Sequence, residues 1–357
     1  MIYGNLIIIA VPALLAAIGA FCAAKEQKAL FSLVFGAAVF LEAGLCRIMD
    51  PVPSGFEEQL AGSVYSDIIS GTEAPPAYLF ILKICMTAGI GTGGFMTVQA
   101  VLQSFLAAAY IYNRPDAPYA GAVIFSAFFL PCAFVGANAF TAILISLFSA
   151  KYIEERRFLR AAAVLIAAAC FDVSAVFVIP LWFITIIPNN FAVLLISAAL
   201  AAASAMLPDV TAGVFGYFGT GMFTGRYVTV PMAAAACIAA LVLMITASMF
   251  RKRNERTARL IPFTICGAAL SAAGIFVPEL FVVSRIMLAV SLTALAPDAE
   301  WISGRFTEIL LPGAGTKARV ASVILLTAVV TTVCIILTAD DSMGTSYFGT
   351  VLFGAGA

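Results

Sequence analysis

Charged side chains set within or against apolar runs are the residues whose chemistry most needs explaining. Arg47 closes one such run, Arg285 lies a few residues inside another, and Asp172 sits between Phe171 and Val173 in a third. A charge inside a membrane-length apolar run costs about 2.5–3.5 kcal/mol on insertion scales, so it faces a cavity or a partner. A guanidinium stays charged, offers a planar fork of donors that matches phosphate oxygens, and is more weakly hydrated than an ammonium. Arg47 and Arg285 are therefore candidates for clamping a phosphate. For Arg47 the competing reading is an interfacial anchor that snorkels outward; for Arg285 it is a structural pair with Glu279 or Glu42. A carboxyl in apolar surroundings, such as Asp172, is where a general base or acid can be tuned. It is equally suited to capping a short helix that follows it. Arg226 lies among Phe215, Tyr217, Phe218, Phe223 and Tyr227, an arrangement that stacks on sugar rings or head groups or forms a structural cation–π contact. Asn138, Asp50 and Tyr227 complete the candidate binding set, Asn138 as a ligand group or as a hairpin hydrogen bonder.

The elements that must position these residues are membrane helices. Of 357 residues, 63% are hydrophobic and 11% charged, where a soluble domain carries about a quarter charged; mean hydropathy is +1.07. A span needs about 20 apolar residues. The runs are continuous and rich in Ala, Leu and Ile rather than alternating with period two, which selects helices over a barrel. Net charge is zero, yet all but four of the 19 Lys and Arg fall in a few short connectors, including 151–160 and 251–259. The positive-inside rule makes those connectors cytoplasmic. The four exceptions are Arg47, Lys83, Arg226 and Arg285. The 8 cysteines are scattered without metal spacing and there is no histidine, so no metal or cofactor site is expected. The glycines of 89–94 lack the Lys-Ser/Thr of a phosphate loop.

Read along the chain, a retained first span at about 2–23 runs inward and a second at about 29–46 returns to Arg47. The acidic stretch 47–76 is then an outer loop. Residues 77–113 could hold two spans broken at Gly89–Gly94; the preferred reading lays the short 77–90, with Lys83, in the outer interface, so that 95–113 crosses inward alone. Residues 119–150 form a hairpin touching the outer face near Asn138, and 160–187 form two half-spans or a broken helix meeting near Asp172. A span at 189–206 leads to a second outer loop, 207–230. Spans at 232–250, 259–277, 280–297 and 320–338 follow. The expectation is an all-α integral membrane protein, one polytopic domain over 1–357, with about 10–12 membrane helices including short or broken ones.

The order of features resembles the EpsG-type members of the Wzy polysaccharide polymerases, O-antigen-like polymerases of the cytoplasmic membrane. The match runs through Gly44-Leu45-Cys46-Arg47-Ile48-Met49-Asp50 and Phe56-Glu57-Glu58, then Asn138 leading to Lys151-Tyr152-Ile153-Glu154-Glu155-Arg156-Arg157-Phe158. It continues in Phe171-Asp172-Val173-Ser174-Ala175 and ends at Arg285-Ile286. It departs where the family has an Arg near Asn138, here flanked by Ala137 and Ala139, and where Asp172 replaces the family's His. The resemblance implies a multi-pass, GT-C-like fold and glycosyl transfer at the outer face of the cytoplasmic membrane. A polyprenyl-diphosphate-linked oligosaccharide would be the substrate and the lipid diphosphate the leaving group. Asp172, Arg47 and Arg285 would be catalytic; Arg226, Asn138, Asp50 and Tyr227 would bind substrate. No metal, cofactor or nucleic acid is implied; membrane lipid, a chain-length regulator and a flippase are the candidate partners. Two other classes stay open: a transporter or flippase for a polar or anionic solute, and a non-catalytic membrane subunit.

Overall fold

The structure, a computed structural model, describes Ile18, Cys22 and residues 27–48, 75–113, 137–217, 259–274, 276–277 and 280–294. These residues form helices and turns, with no strand among them. They comprise α1 (Lys28–Ile48), α2 (Pro76–Thr87), α3 (Gly91–Asn113), α4 (Ala137–Ser146), α5 (Ser149–Glu154), α6 (Phe158–Ala169), α7 (Val178–Leu181), α8 (Asn190–Met206), α9 (Pro208–Tyr217), α10 (Ile261–Ala273) and α11 (Leu280–Ala294). Two 3-10 helices, Val173–Phe177 and Trp182–Ile186, flank α7. Among the described residues, Gly93–Asn113 alone is long and apolar enough to cross a membrane by itself, and α8 with α9 passes only as a bent pair.

The interior is largely apolar, but large apolar side chains also cover the outside and a set of polar ones is enclosed. Leu33, Leu41, Phe105, Leu159, Phe191 and Leu195 are exposed, whereas Gln99, Gln103, Thr141, Ser146, Asp172, Ser197 and Arg285 are buried. Apolar side chains on the outside and polar ones within are what a hydrocarbon solvent favours, because a polar group in lipid has nothing to bond. Helix α10 is buried over most of its circumference and lies between α8 and α11. That explains a sequence apolar on every face.

Helices α1 and α3 pack in antiparallel fashion. Ser104 Oγ donates to the Gly36 carbonyl at 2.7 Å, and Lys28 Nζ lies 5.9 Å from the centre of the Tyr112 ring. The approach is close: a Cβ on Gly36 would lie 3.0 Å from Ala108 Cβ and 3.1 Å from the Ser104 carbonyl oxygen. Small residues permit such crossings between membrane helices. Gly36→Leu is expected to destabilise the protein by about 1–3 kcal/mol through overpacking, with Gly36→Ala milder. Thermal unfolding in detergent reads this; an unchanged midpoint for the Leu variant would rule out so close a crossing.

Helices α4 and α5 run alongside α3 in the same direction. Thr141 faces Gln103, and Tyr110 meets Phe148 edge-on at 5.7 Å. Arg259 Nη1 donates to the Glu154 carbonyl at 2.7 Å. Lys28, Tyr112, Glu154 and Arg259 therefore gather at one end of the bundle, the basic end. There the 152–157 motif is a helix stop. The Arg157 N–H reaches the Tyr152 carbonyl at 2.8 Å and the Arg156 N–H that of Ile153 at 3.0 Å. Arg156 adopts φ 56, the left-handed conformation such a stop requires and that glycine usually supplies.

Residues 158–187 form a hairpin. Helix α6 climbs from the basic end and breaks at 170–172, and the chain returns through the first 3-10 helix, α7 and the second. Return is proved by Phe158 at the foot of α6, whose ring lies 4.8 Å from Trp182 and 5.8 Å from Phe183. Of the two forms open from the sequence, paired half-spans or a broken helix, the chain takes the doubled-back one, with Asp172 at its tip. The Ala77 N–H at the start of α2 donates to the Cys170 carbonyl at 2.9 Å, so the tip is tied to the element that follows the acidic stretch of the sequence.

One expectation changes. Within 207–230, residues 208–217 are helical rather than loop: α9 turns 97° from α8. Pro208 at its first position and Asp209 in its first turn are good helix starters, and they outweigh Gly213 and Gly216. The expected spans at 2–23, 232–250 and 320–338 lie outside the described residues apart from Ile18 and Cys22.

Candidate functional site

Heights above the basic end locate the candidate residues. At 1.5 Å per helical residue, Asp172 stands about 20 Å above Phe158, and Thr141 about 20 Å above Glu154. Gly267 of α10 packs against Met287 and Leu288 of α11, which sets Arg285 about 15 Å above Arg259. Three elements bearing candidates also pack together. The 3-10 helix capped by Asp172 contacts α11, which carries Arg285, and α4, which begins next to Asn138, contacts both α6 and α11.

Asp172 is 4% exposed. Its Oδ1 accepts from the Ser174 N–H at 2.9 Å, and its backbone is the extended N-cap of the 3-10 helix. Its N–H donates to the Ala168 carbonyl at 3.0 Å and its carbonyl accepts from the Ala175 N–H at 3.0 Å. The capping reading is therefore realised, but by one carboxyl oxygen only. Oδ2 is buried and has no hydrogen-bond partner among the described residues. Capping fixes the side chain's direction and leaves an oxygen able to take a proton.

Arg285 is 4% exposed, in the second turn of α11. A buried guanidinium is strongly disfavoured unless its surroundings supply negative or polar groups, so this layer of the bundle is polar by necessity. Asn138 is half-buried in the first turn of α4. Arg47 is the penultimate residue of α1, about 28 Å above Lys28 along the helix. By that height its backbone stands beyond the layer of Asp172. Asp50, Arg226 and Tyr227 lie outside the described residues.

The sequence reading passed over Gln99, Gln103 and Thr141. All three are fully buried between α3 and α4, at the height of Asp172. Two amides four residues apart in an apolar span, and so on one helix face, were a readable signal. A shallow hollow lined by Gln27, Lys28, Ala29, Leu30 and Tyr112 lies at the basic end, far from this layer.

No curated protein and no solved structure matches the chain. A family model does, that of the EpsG family, over residues 56–310. The match takes in Asn138, the 152–157 helix stop, Asp172, Arg226 and Arg285, and begins after Arg47. It spans well over half of the sequence: the chain belongs to the EpsG family, whose members point to polysaccharide polymerisation at a membrane.

Proposed function

We propose that this protein polymerises polyprenyl-diphosphate-linked oligosaccharide repeat units at the outer face of the cytoplasmic membrane. The observation that carries the reading is the placement of Asp172 and Arg285: both buried, on elements packed together, in one layer remote from the basic end. The positive-inside rule puts the basic end in the cytoplasm and this layer toward the other side.

In the reaction, a hydroxyl of one repeat unit attacks the anomeric carbon of a glycan carried on lipid diphosphate. A new C–O bond forms, the bond to the diphosphate breaks, and its electron pair leaves with the diphosphate. Asp172 takes the hydroxyl proton. Arg285, with Arg47 further out, holds the diphosphate as charge accumulates on it. Arg226, Tyr227, Asp50 and Asn138 contact the glycan or its phosphate. The donor is already activated, so no nucleotide is required.

The transporter reading needs polar groups reachable from both sides. Among the described residues, several buried hydroxyls on the basic side of the layer are instead bonded within their own helices. Ser146 Oγ donates to the Ala142 carbonyl at 2.7 Å, Ser291 Oγ to that of Met287 at 2.9 Å, and Thr264 Oγ1 to that of Leu260 at 3.3 Å. Trp182 Nε1 and Ser197 Oγ are not bonded in this way, but the only buried charges among the described residues, Asp172 and Arg285, both lie in the layer, which favours a site open to one side only. The decisive experiment is chain extension from lipid-linked repeat units by the purified full-length protein in vesicles. Longer lipid-linked glycans are expected; failure to extend, with correctly inserted protein, would leave the non-catalytic subunit as the better reading.

A further inference from the structure

The layer that holds Asp172 and Arg285 continues into the seam between α3 and α4. There Gln103 Nε2 donates to Thr141 Oγ1 at 2.8 Å, and Thr141 Oγ1 donates to Gln99 Oε1 at 3.4 Å. All three side chains are fully buried. The chain of donors ends on Gln99 Nε2, which is buried and has no acceptor among the described residues. Leaving such a group unserved costs about 1–3 kcal/mol, a penalty a leucine in its place would avoid. What Gln99 lacks is an oxygen.

Resting on the polymerase reading above, we propose that Gln99, braced by Thr141 and Gln103, binds an oxygen of the sugar and so selects substrate by its glycan rather than by its lipid. The chemistry divides cleanly across the layer. A diphosphate calls for guanidinium groups, which Arg285 and Arg47 supply. A neutral hydroxyl or ring oxygen calls for an amide donor, and sites built to bond a substrate hydroxyl discriminate strongly against analogues lacking it. Placement agrees: Thr141 and Asn138 lie one turn apart on α4, which also packs on the hairpin and on α11. The Gln99 amide is enclosed, so the seam must open to admit a sugar. The Thr141–Gln99 link, at 3.4 Å, is long for an O–H···O bond and is the one to yield.

Full-length protein in nanodiscs would be titrated with two ligands: polyprenyl diphosphate, and lipid-linked oligosaccharide extracted from source cells lacking this chain. Wild type should bind the second more tightly. Gln99→Leu should bind the sugar-free lipid within about twofold of wild type, lose at least about tenfold of the affinity added by the glycan, and melt no lower than wild type, since it removes a desolvated amide. Thr141→Val, which keeps the shape and removes the brace, should lose part of the same increment and carries the test if Gln99→Leu does not fold. An increment intact in both variants overturns the inference, an enclosed water then serving the amide, and leaves the polymerase reading standing. Wild type that binds neither lipid overturns both.

Discussion

Arg285→Ala is expected to slow chain extension by about 100- to 1,000-fold, the usual loss when one preorganised donor to a developing anion is removed, while the protein still inserts in the membrane. The argument is electrostatic. Arg285 is 4% exposed in a helix that packs against the Asp172 hairpin, and a charge so enclosed acts through a low dielectric, where its effect on a nearby anion is far larger than in water. Negative charge on the diphosphate grows as the glycosidic bond breaks, so the loss should appear in kcat more than in KM. Arg285→Lys keeps the charge without the planar fork and should recover only part of the rate. A purely structural Arg285 would behave differently: the Ala variant would lose thermal stability, and Lys would restore stability and rate together. Extension rates and melting midpoints for the two variants separate these cases, and wild-type polymer from Arg285→Ala would remove Arg285 from the mechanism.

Much of this was legible in the sequence, for reasons that differ by residue. Arg285 and Asp172 stood out because a charge in an apolar run is expensive wherever the run folds. The hairpin at 158–187 was legible by parity, since a stretch too long for one span must return if the basic connectors are to share a side; the Phe158–Trp182 contact closes it. What the sequence did not reveal is pairing. Helices such as α10, apolar all round, have no face to read, so the Gly36–Ser104 crossing and the contact of Gly267 with α11 emerge only in three dimensions. Gln99 and Gln103 were missed because amides carry no charge to draw the eye, although an unserved amide in lipid is costly too. In α9 the glycines and aromatics signal a loop and mask the helix-starting Pro208 and Asp209. For Asp172 the sequence supports two roles, cap and base; the structure realises the cap through Oδ1 and leaves Oδ2 unbonded, so the two need not compete.

That division makes Asp172→Asn the most discriminating substitution. Asparagine caps a helix about as well as aspartate does, so its Oδ1 can accept the Ser174 N–H that Asp172 Oδ1 accepts at 2.9 Å, and the hairpin tip should keep its shape. Where Oδ2 stood, an amide nitrogen cannot take a proton. Extension is therefore expected to fall by about 100- to 10,000-fold, the range for loss of a positioned general base, with the melting midpoint near wild type. Asp172→Ser retains a capping oxygen in a shorter side chain and should be as inactive and nearly as stable. Asp172→Ala loses the cap as well, at a further cost of about 0.5–2 kcal/mol. If asparagine supports extension at the wild-type rate while alanine does not, Asp172 acts only by holding the tip against α2 and α11, and the proton must leave by another route. If all three variants are inactive and only alanine is unstable, the two oxygens do two jobs, and Asp172 is the base.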